Sequence, residues 1–237
     1  MEVKFTVNSQ EYTMPEKISL ELFERATIWD LKDEKNVKPF VATIFNCPLA
    51  DVNLLEEEVF GFIAGISIEK MTLEGKAVQE EIGGHKIVNF QNLTFGQWVD
   101  IDTLMATGIA QNVVQLASIV YNVEPEECAS WDVKLAGPAI VELSRWRALV
   151  YKDHDEFFEL EGRKVENSEV DNNQTNIAYM WYEAIMVLAD NDFLKIHQVV
   201  ERPYKEALNY LTWKKGKVAK EKLEILKRKN DIRRSSK

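Results

Sequence analysis

Apolar side chains spaced three and four residues apart recur along most of this chain, while strict alternation of apolar and polar residues is confined to three short stretches. Helices bury a stripe with a period near 3.6 residues and strands bury one face with a period of 2, so the imbalance commits the chain to a helical architecture. Val3, Phe5 and Val7 alternate with polar residues, "NSQE" supplies a turn, and Tyr12 and Met14 follow before Pro15, which predicts a short N-terminal β-hairpin. A Gly83–Gly84 turn and the run through Phe90 predict a second extended stretch. Ser19 is placed to cap the helix "LELFERATIWDL", and helices are predicted over 38–45, 54–68, 95–107, 112–121, 139–158, 176–189, 192–200 and 204 to about 230. In the 54–68 segment Val59, Phe60, Phe62, Ile63 and Ile66 are core candidates; Gly61 and Gly65 leave room for a neighbouring backbone, although that spacing assigns no partner. The fold class expected is mainly α (α+β): a multi-helix domain with a small N-terminal β-hairpin and a long basic C-terminal helix.

With 237 residues, 46% of them hydrophobic, the chain has ample material for a packed core. Shifts in composition place a hairpin-plus-helices subdomain at 1–82, a helical domain at 83–213 and a basic helix or tail at 214–237. The stretch near 159–175 carries almost no large apolar side chains and is expected to form a mobile surface loop. No run of about 18 apolar residues occurs and the N-terminus lacks a basic-then-apolar layout, so the chain is expected to stay soluble in the cell that makes it, with no membrane partner. Cys47 and Cys128 are far apart and read as small buried thiols, not as a disulfide framework or a zinc site.

The net charge of −10 conceals a separation of sign. From Lys214 to Lys237 eleven Lys and Arg stand against three acids, a net +8, which leaves −18 on the first 213 residues. Such an end is built to reach an acidic surface, and another copy of the same chain offers one. A merely solvated end is the second reading and nucleic acid the least favoured, because beyond Trp213 the segment has no aromatic ring for base stacking, and Val218, Leu223, Ile225 and Leu226 suit a helix lying on protein.

Within "LTFGQWVDID", Thr94 and Gln97 form the T-x-x-Q pattern of a capping box, and Leu93 with Trp98 forms the matching hydrophobic staple, so these residues start a helix. Asp100 and Asp102 lie about 200° apart around that helix and do not face one another as an acid pair would. Neither is expected to carry chemistry or much stability. His154 in "KDHDEFFE" has carboxylates on both sides, but neighbours in sequence splay apart on a helix, so it reads as part of a solvated acidic helix end. His85 and His197 build no triad. The common nucleotide, metalloprotease, hydrolase and calcium signatures are missing, so no catalytic residue, metal, cofactor or small-molecule substrate is expected.

The C-terminal half is rich in large rings: Trp131, Trp146, Trp181, Trp213, Tyr151, Tyr179, Tyr182, Tyr204 and Tyr210. Such rings serve either a tryptophan-rich core or a subunit contact. For a contact, the candidate residues are Trp181, Tyr182, Tyr204, Tyr210 and Trp213 with the cations Lys214, Lys215, Lys227, Arg228, Arg233 and Arg234.

Three stretches, "VKFTVNSQEYTMPEKISLELFERA", "LTFGQWVDIDTLMATGIAQNVVQLASIVY" and "MWYEAIMVLADNDFLKIHQVVERPYKEALNYLTWKKGKVAKEKLEIL", resemble structural and tail-assembly proteins of tailed bacteriophages, in particular those of Bacteroidetes-infecting and crAss-like phages. The likeness lies in texture and order: an L-[ST]-F-G-x-aromatic-x-D-[IL]-D helix entry, an N-x-x-x-x-[AL]-x-[IL]-x-Y helix, and a "YL-x-W-K" exit into a charged helix. It implies a non-enzymatic protein acting by contact with copies of itself and with other phage structural proteins. The role implied is a ring or connector subunit of the virion at the portal or head-to-tail region, made in the host cytoplasm. The alternative is a tail assembly chaperone absent from the mature particle.

Overall fold

The computed structural model describes residues 2–73, 77–159 and 170–235. Among them the chain is mainly α-helical, with two short antiparallel β-ribbons. Strands β1 (Lys4–Val7) and β2 (Gln10–Thr13) pair with Phe5 opposite Tyr12, and Asn8 and Ser9 adopt the positive φ that a tight hairpin turn demands. The helices that follow are α1 (Leu20–Thr27), α2 (Val37–Phe45), α3 (Leu49–Val52) and α4 (Glu57–Lys70). Two-residue strands β3 (Glu81–Ile82) and β4 (His85–Lys86) flank the Gly83–Gly84 turn, so the alternation continuing to Phe90 is not strand. Next come α5 (Phe95–Thr107), α6 (Val113–Tyr121), α7 (Pro125–Cys128), α8 (Val133–Asp153), α9 (Asp155–Glu159), α10 (Val170–Leu188), α11 (Ile196–Val200) and α12 (Tyr204–Ser235).

Two sequence expectations are corrected here. The helix predicted from residue 139 begins at Val133 and carries Pro138 inside it, then breaks at His154. The expected loop near 159–175 loses its last six residues to α10, whose polar first turns leave no apolar periodicity to read; 160–169 lie outside the described residues.

The chain forms two units, one of residues 1–90 and 104–145 and one of 91–103 and 146–237. The boundary expected near residue 83 therefore falls inside the first, and α5 and α8 each give residues to both.

One plan is used twice in succession: a capped helix, a 3₁₀ turn, a second helix ending in a left-handed Asn, a four-residue helix, and a long helix. Elements α1 to α4 and α5 to α8 follow it. From Asn36 and Asn112 onward the two runs keep a constant offset. Phe40, Val41, Ile44 and Phe45 are buried as are Leu116, Ala117, Val120 and Tyr121; Val52 is buried as is Cys128; Ile63, Ala64 and Ser67 are buried as are Ala139, Ile140 and Leu143. Asn46 and Asn122 both have φ of 48°, and the following residues, Cys47 and Val123, donate their N–H groups back to Ala42 and Ser118, closing each helix in a Schellman turn.

In the second unit, α5 starts with the predicted capping box: the Gln97 N–H donates to Thr94 Oγ1 at 3.2 Å and the Thr94 N–H donates to Gln97 Oε1 at 3.0 Å. The same residues anchor α12, because the Phe95 N–H donates to the Arg202 carbonyl and the Tyr204 N–H to that of Leu93. Behind them Trp98 packs on Trp146, Tyr151 and Tyr204, with ring centroids 5.4, 6.2 and 5.7 Å away. Asp102 lies fully buried beside this cluster and is saturated with donors. Its Oδ1 accepts from Arg147 Nε at 2.7 Å and the Tyr151 hydroxyl at 2.6 Å, and its Oδ2 accepts from Trp181 Nε1 at 2.8 Å. The Arg147 guanidinium also lies 4.6 Å from the Tyr151 ring centroid.

Asp102 thus corrects the expectation that it contributes little. A buried carboxylate stripped of its charge leaves the Arg147 cation uncompensated. Asp102→Asn is expected to destabilise the protein by about 3 kcal/mol, against about 1 kcal/mol for Thr94→Ala, both measured by urea denaturation. Equal small effects would refute the ranking.

Candidate interaction surface

Helix α12 is long because its sequence, rich in Lys, Glu, Leu and Ala and free of proline, favours helix through Ser235. Among its described side chains, only those at its beginning are packed. Tyr204, Ala207, Leu208 and Leu211 are buried at the i, i+3, i+4, i+7 spacing of a single stripe. Lys215 closes the packed part: its Nζ donates to the Phe157 carbonyl at 2.5 Å and sits 5.2 Å over the Phe157 ring. The stripe then continues in heptad steps from Leu211 to Val218 and Ile225, yet from Lys217 through Arg228 every side chain is exposed.

At the point of departure Tyr210 and Trp213 stand in contact, ring centroids 5.7 Å apart, and Trp213 is 59% exposed. Lys214 lies 5.8 Å over the Tyr210 ring and Lys217 lies 5.5 Å over that of Trp213. An exposed aromatic pair framed by cations is a composition that suits a protein contact. Beside it, an open hollow of about 810 Å³ is lined by Glu156, Trp213, Lys217 and Lys220.

The candidates named from sequence divide accordingly. Tyr210, Trp213 and Lys214 are brought together, and Lys217 joins them. Tyr182 is exposed on α10, and Lys227 and Arg228 are exposed on α12. Arg233 and Arg234 lie in its last turns, and their side chains are outside the described residues. Trp181 and Tyr204 are core residues: Trp181 is 1% exposed and spends its N–H on Asp102, and Tyr204 packs between Trp98 and Trp146. A partner cannot reach either ring without opening the second unit. Lys215 likewise acts as a tether.

Sequence reasoning also placed Val59 and Phe62 in the core. They face solvent on α4, Phe62 with 61% of its surface exposed, and Leu54 and Ile68 are exposed with them. The signal that could have found this face is the absence of any polar side to the helix: with Val59, Phe60, Phe62, Ile63, Ile66 and Ile68 distributed around it, not all can point inward.

His154 was expected to be solvated, but the break between α8 and α9 turns it inward, leaving its Nδ1 3.2 Å from Thr212 Oγ1 of α12. His85 and His197 pair with Glu127 and Glu201. Cys128 is buried and Cys47 half-buried. Among the described residues no group of three His, Cys, Asp or Glu is placed to hold a metal ion, and no helix is long and apolar enough to cross a membrane.

Burial holds the His154 imidazole below its ordinary range, with Asp153 opposing the shift. The unfolded chain therefore takes up a proton more readily than the folded one below about pH 6.5. The stability tied to neutral His154 is complete above that pH and is lost as pH falls through it. The urea midpoint is expected to fall between about pH 7 and about pH 5, with a shallower fall in His154→Gln; an unchanged slope in that variant would assign the effect elsewhere.

No known protein family, curated protein or solved structure matches this chain.

Proposed function

We propose that this protein is a non-enzymatic structural subunit of a tailed-phage particle, a ring or connector subunit at the portal or head-to-tail region that works by contact with copies of itself and other structural proteins. The observation that carries the reading is the free part of α12. Twelve successive helical residues, 217–228, have no buried side chain, yet they include Val218, Leu223, Ile225 and Leu226 among five cations and two acids. A helix with that composition gains by lying on an oppositely charged, partly apolar surface. The acidic remainder of the chain supplies such a surface in every other copy. The resemblance to phage structural proteins in the stretches that build α5, α6 and α12 points the same way.

A tail assembly chaperone absent from the mature virion is the second reading, supported by the same exposed apolar side chains, which suit a client held for a limited time. Mass spectrometry of purified particles separates the two. Abundant, fixed-copy presence supports the ring or connector, and absence from particles together with a requirement for tails supports the chaperone. Deleting residues 217–237 is expected to leave the thermal midpoint within about 2 °C, since the described side chains it removes are unpacked, while abolishing association in light scattering. A large loss of stability would show that this end is part of the fold.

A further inference from the structure

We infer that the exposed face of α4 is the seat for the free end of α12 from a second copy, giving a head-to-tail contact. The inference rests on the reading that the protein works by contact between copies, and it names the receiving surface.

The repeated plan supplies the reason. Within the first unit, the segment that follows α4 covers α8: a Cβ at Gly137 would stand 2.7 Å from the Leu73 carbonyl oxygen, so only glycine allows that approach. Within the second unit, the segment that follows α8 covers α12, where α9 packs along the helix and Gly216 faces Glu156. Gly61 holds in α4 the position that Gly137 holds in α8, yet a Cβ at Gly61 or at Gly65 would meet nothing within 4 Å. Among the described residues the long helix of the first repeat therefore has its close-approach face open, and residues 217–228 of α12 are uncovered.

The two surfaces are complementary. On the exposed side of α4 Phe62 stands beside Gly61 and Gly65, with Val59 and Ile68 exposed at its two edges, and Glu56, Glu57 and Glu58 make its start acidic. Residues 217–228 offer apolar side chains on a helix of net charge +3, five cations against two acids. Because the contact joins unlike surfaces, each copy retains one free surface after pairing, which is the condition for a closed ring or a filament.

The test uses full-length chains followed by multi-angle light scattering. The wild type is expected to exceed monomer mass increasingly with concentration. Phe62→Asp, Gly61→Leu and the double variant Ile225→Asp/Leu226→Asp are each expected to be monomeric with unchanged circular dichroism; the side chain added at residue 61 projects into open space, so that variant keeps its fold. Mixing Phe62→Asp with the double variant is expected to restore a 1:1 pair and nothing larger, since one supplies the helix end and the other the seat. A monomeric wild type overturns both this inference and contact between copies. A wild type that associates, with Phe62→Asp and Gly61→Leu associating equally, overturns the seat and leaves contact between copies standing. Association of the double variant alone would indicate pairing of α4 with α4, and either result, or a mixture that stays monomeric, refutes the inference.

Discussion

The carboxylate of Asp102 governs how the second unit is put together. Moving an ion out of water costs several kcal/mol unless charge and hydrogen bonds replace its hydration. Here the replacement comes from three side chains on two other helices, Arg147 and Tyr151 on α8 and Trp181 on α10. Satisfying one buried anion therefore fixes three helices at once. The aromatic rings around it follow from that arrangement: Tyr151 stacks on Phe158 at 3.9 Å, Phe95 and Phe158 meet Trp181 edge-on, and Trp98 lies against Tyr204. Tyr204 is the first residue of α12. The direction in which the basic helix leaves the second unit is thus set by packing that begins at a single carboxylate.

The repeated plan explains why this protein has surfaces it does not use within one chain. A helical unit with one apolar face is completed by the segment that follows the preceding unit, as α8 is by the chain at Leu73. In any series built this way the first member lacks a predecessor and the last has an end with nothing to cover. Helix α4 and the free part of α12 are those two places. Their exposed apolar side chains are what a truncated series leaves behind, and they differ from the scattered surface hydrophobics of an ordinary domain.

Much of this was legible in the sequence because it depends on local rules. The hairpin, the capping box at Thr94 and Gln97, and the helical character of nearly every segment follow from spacing and side-chain chemistry within a few residues. Asp102 was misread because its three donors come from residues 147, 151 and 181, and no local pattern announces a partner so far along the chain. His154 was misread for a related reason: the turn between α8 and α9 depends on tertiary packing against Thr212, while its acidic neighbours suggested solvent. The repeat leaves a few matched residues, Asn36 with Asn112 and Gly61 with Gly137, but its two runs share burial more than identity, so it shows only once burial is known. Burial was also the missing datum for Phe62, whose hydrophobicity says that it wants cover and not whether its own chain supplies it.

Charge decides which of the open surfaces can meet. Two α4 faces would bring together two sets of Glu56, Glu57 and Glu58, and two α12 ends would bring together ten cations against four acids. Like charges facing each other in a partly desolvated contact cost more than an exposed ion pair returns, so both symmetric pairings are penalised. The unlike pairing relieves each excess with the other and still covers the apolar side chains. Nonpolar burial would supply the persistence of such a contact, and electrostatics its direction. For the proposed ring or connector subunit direction would matter, because apolar faces alone would permit closed symmetric dimers that stop growth after one step, whereas a polar contact between different ends extends from copy to copy. On the proposed reading, the separation of +8 from −18 along one chain would serve assembly, letting a copy repel the wrong face of its neighbour and draw in the right one.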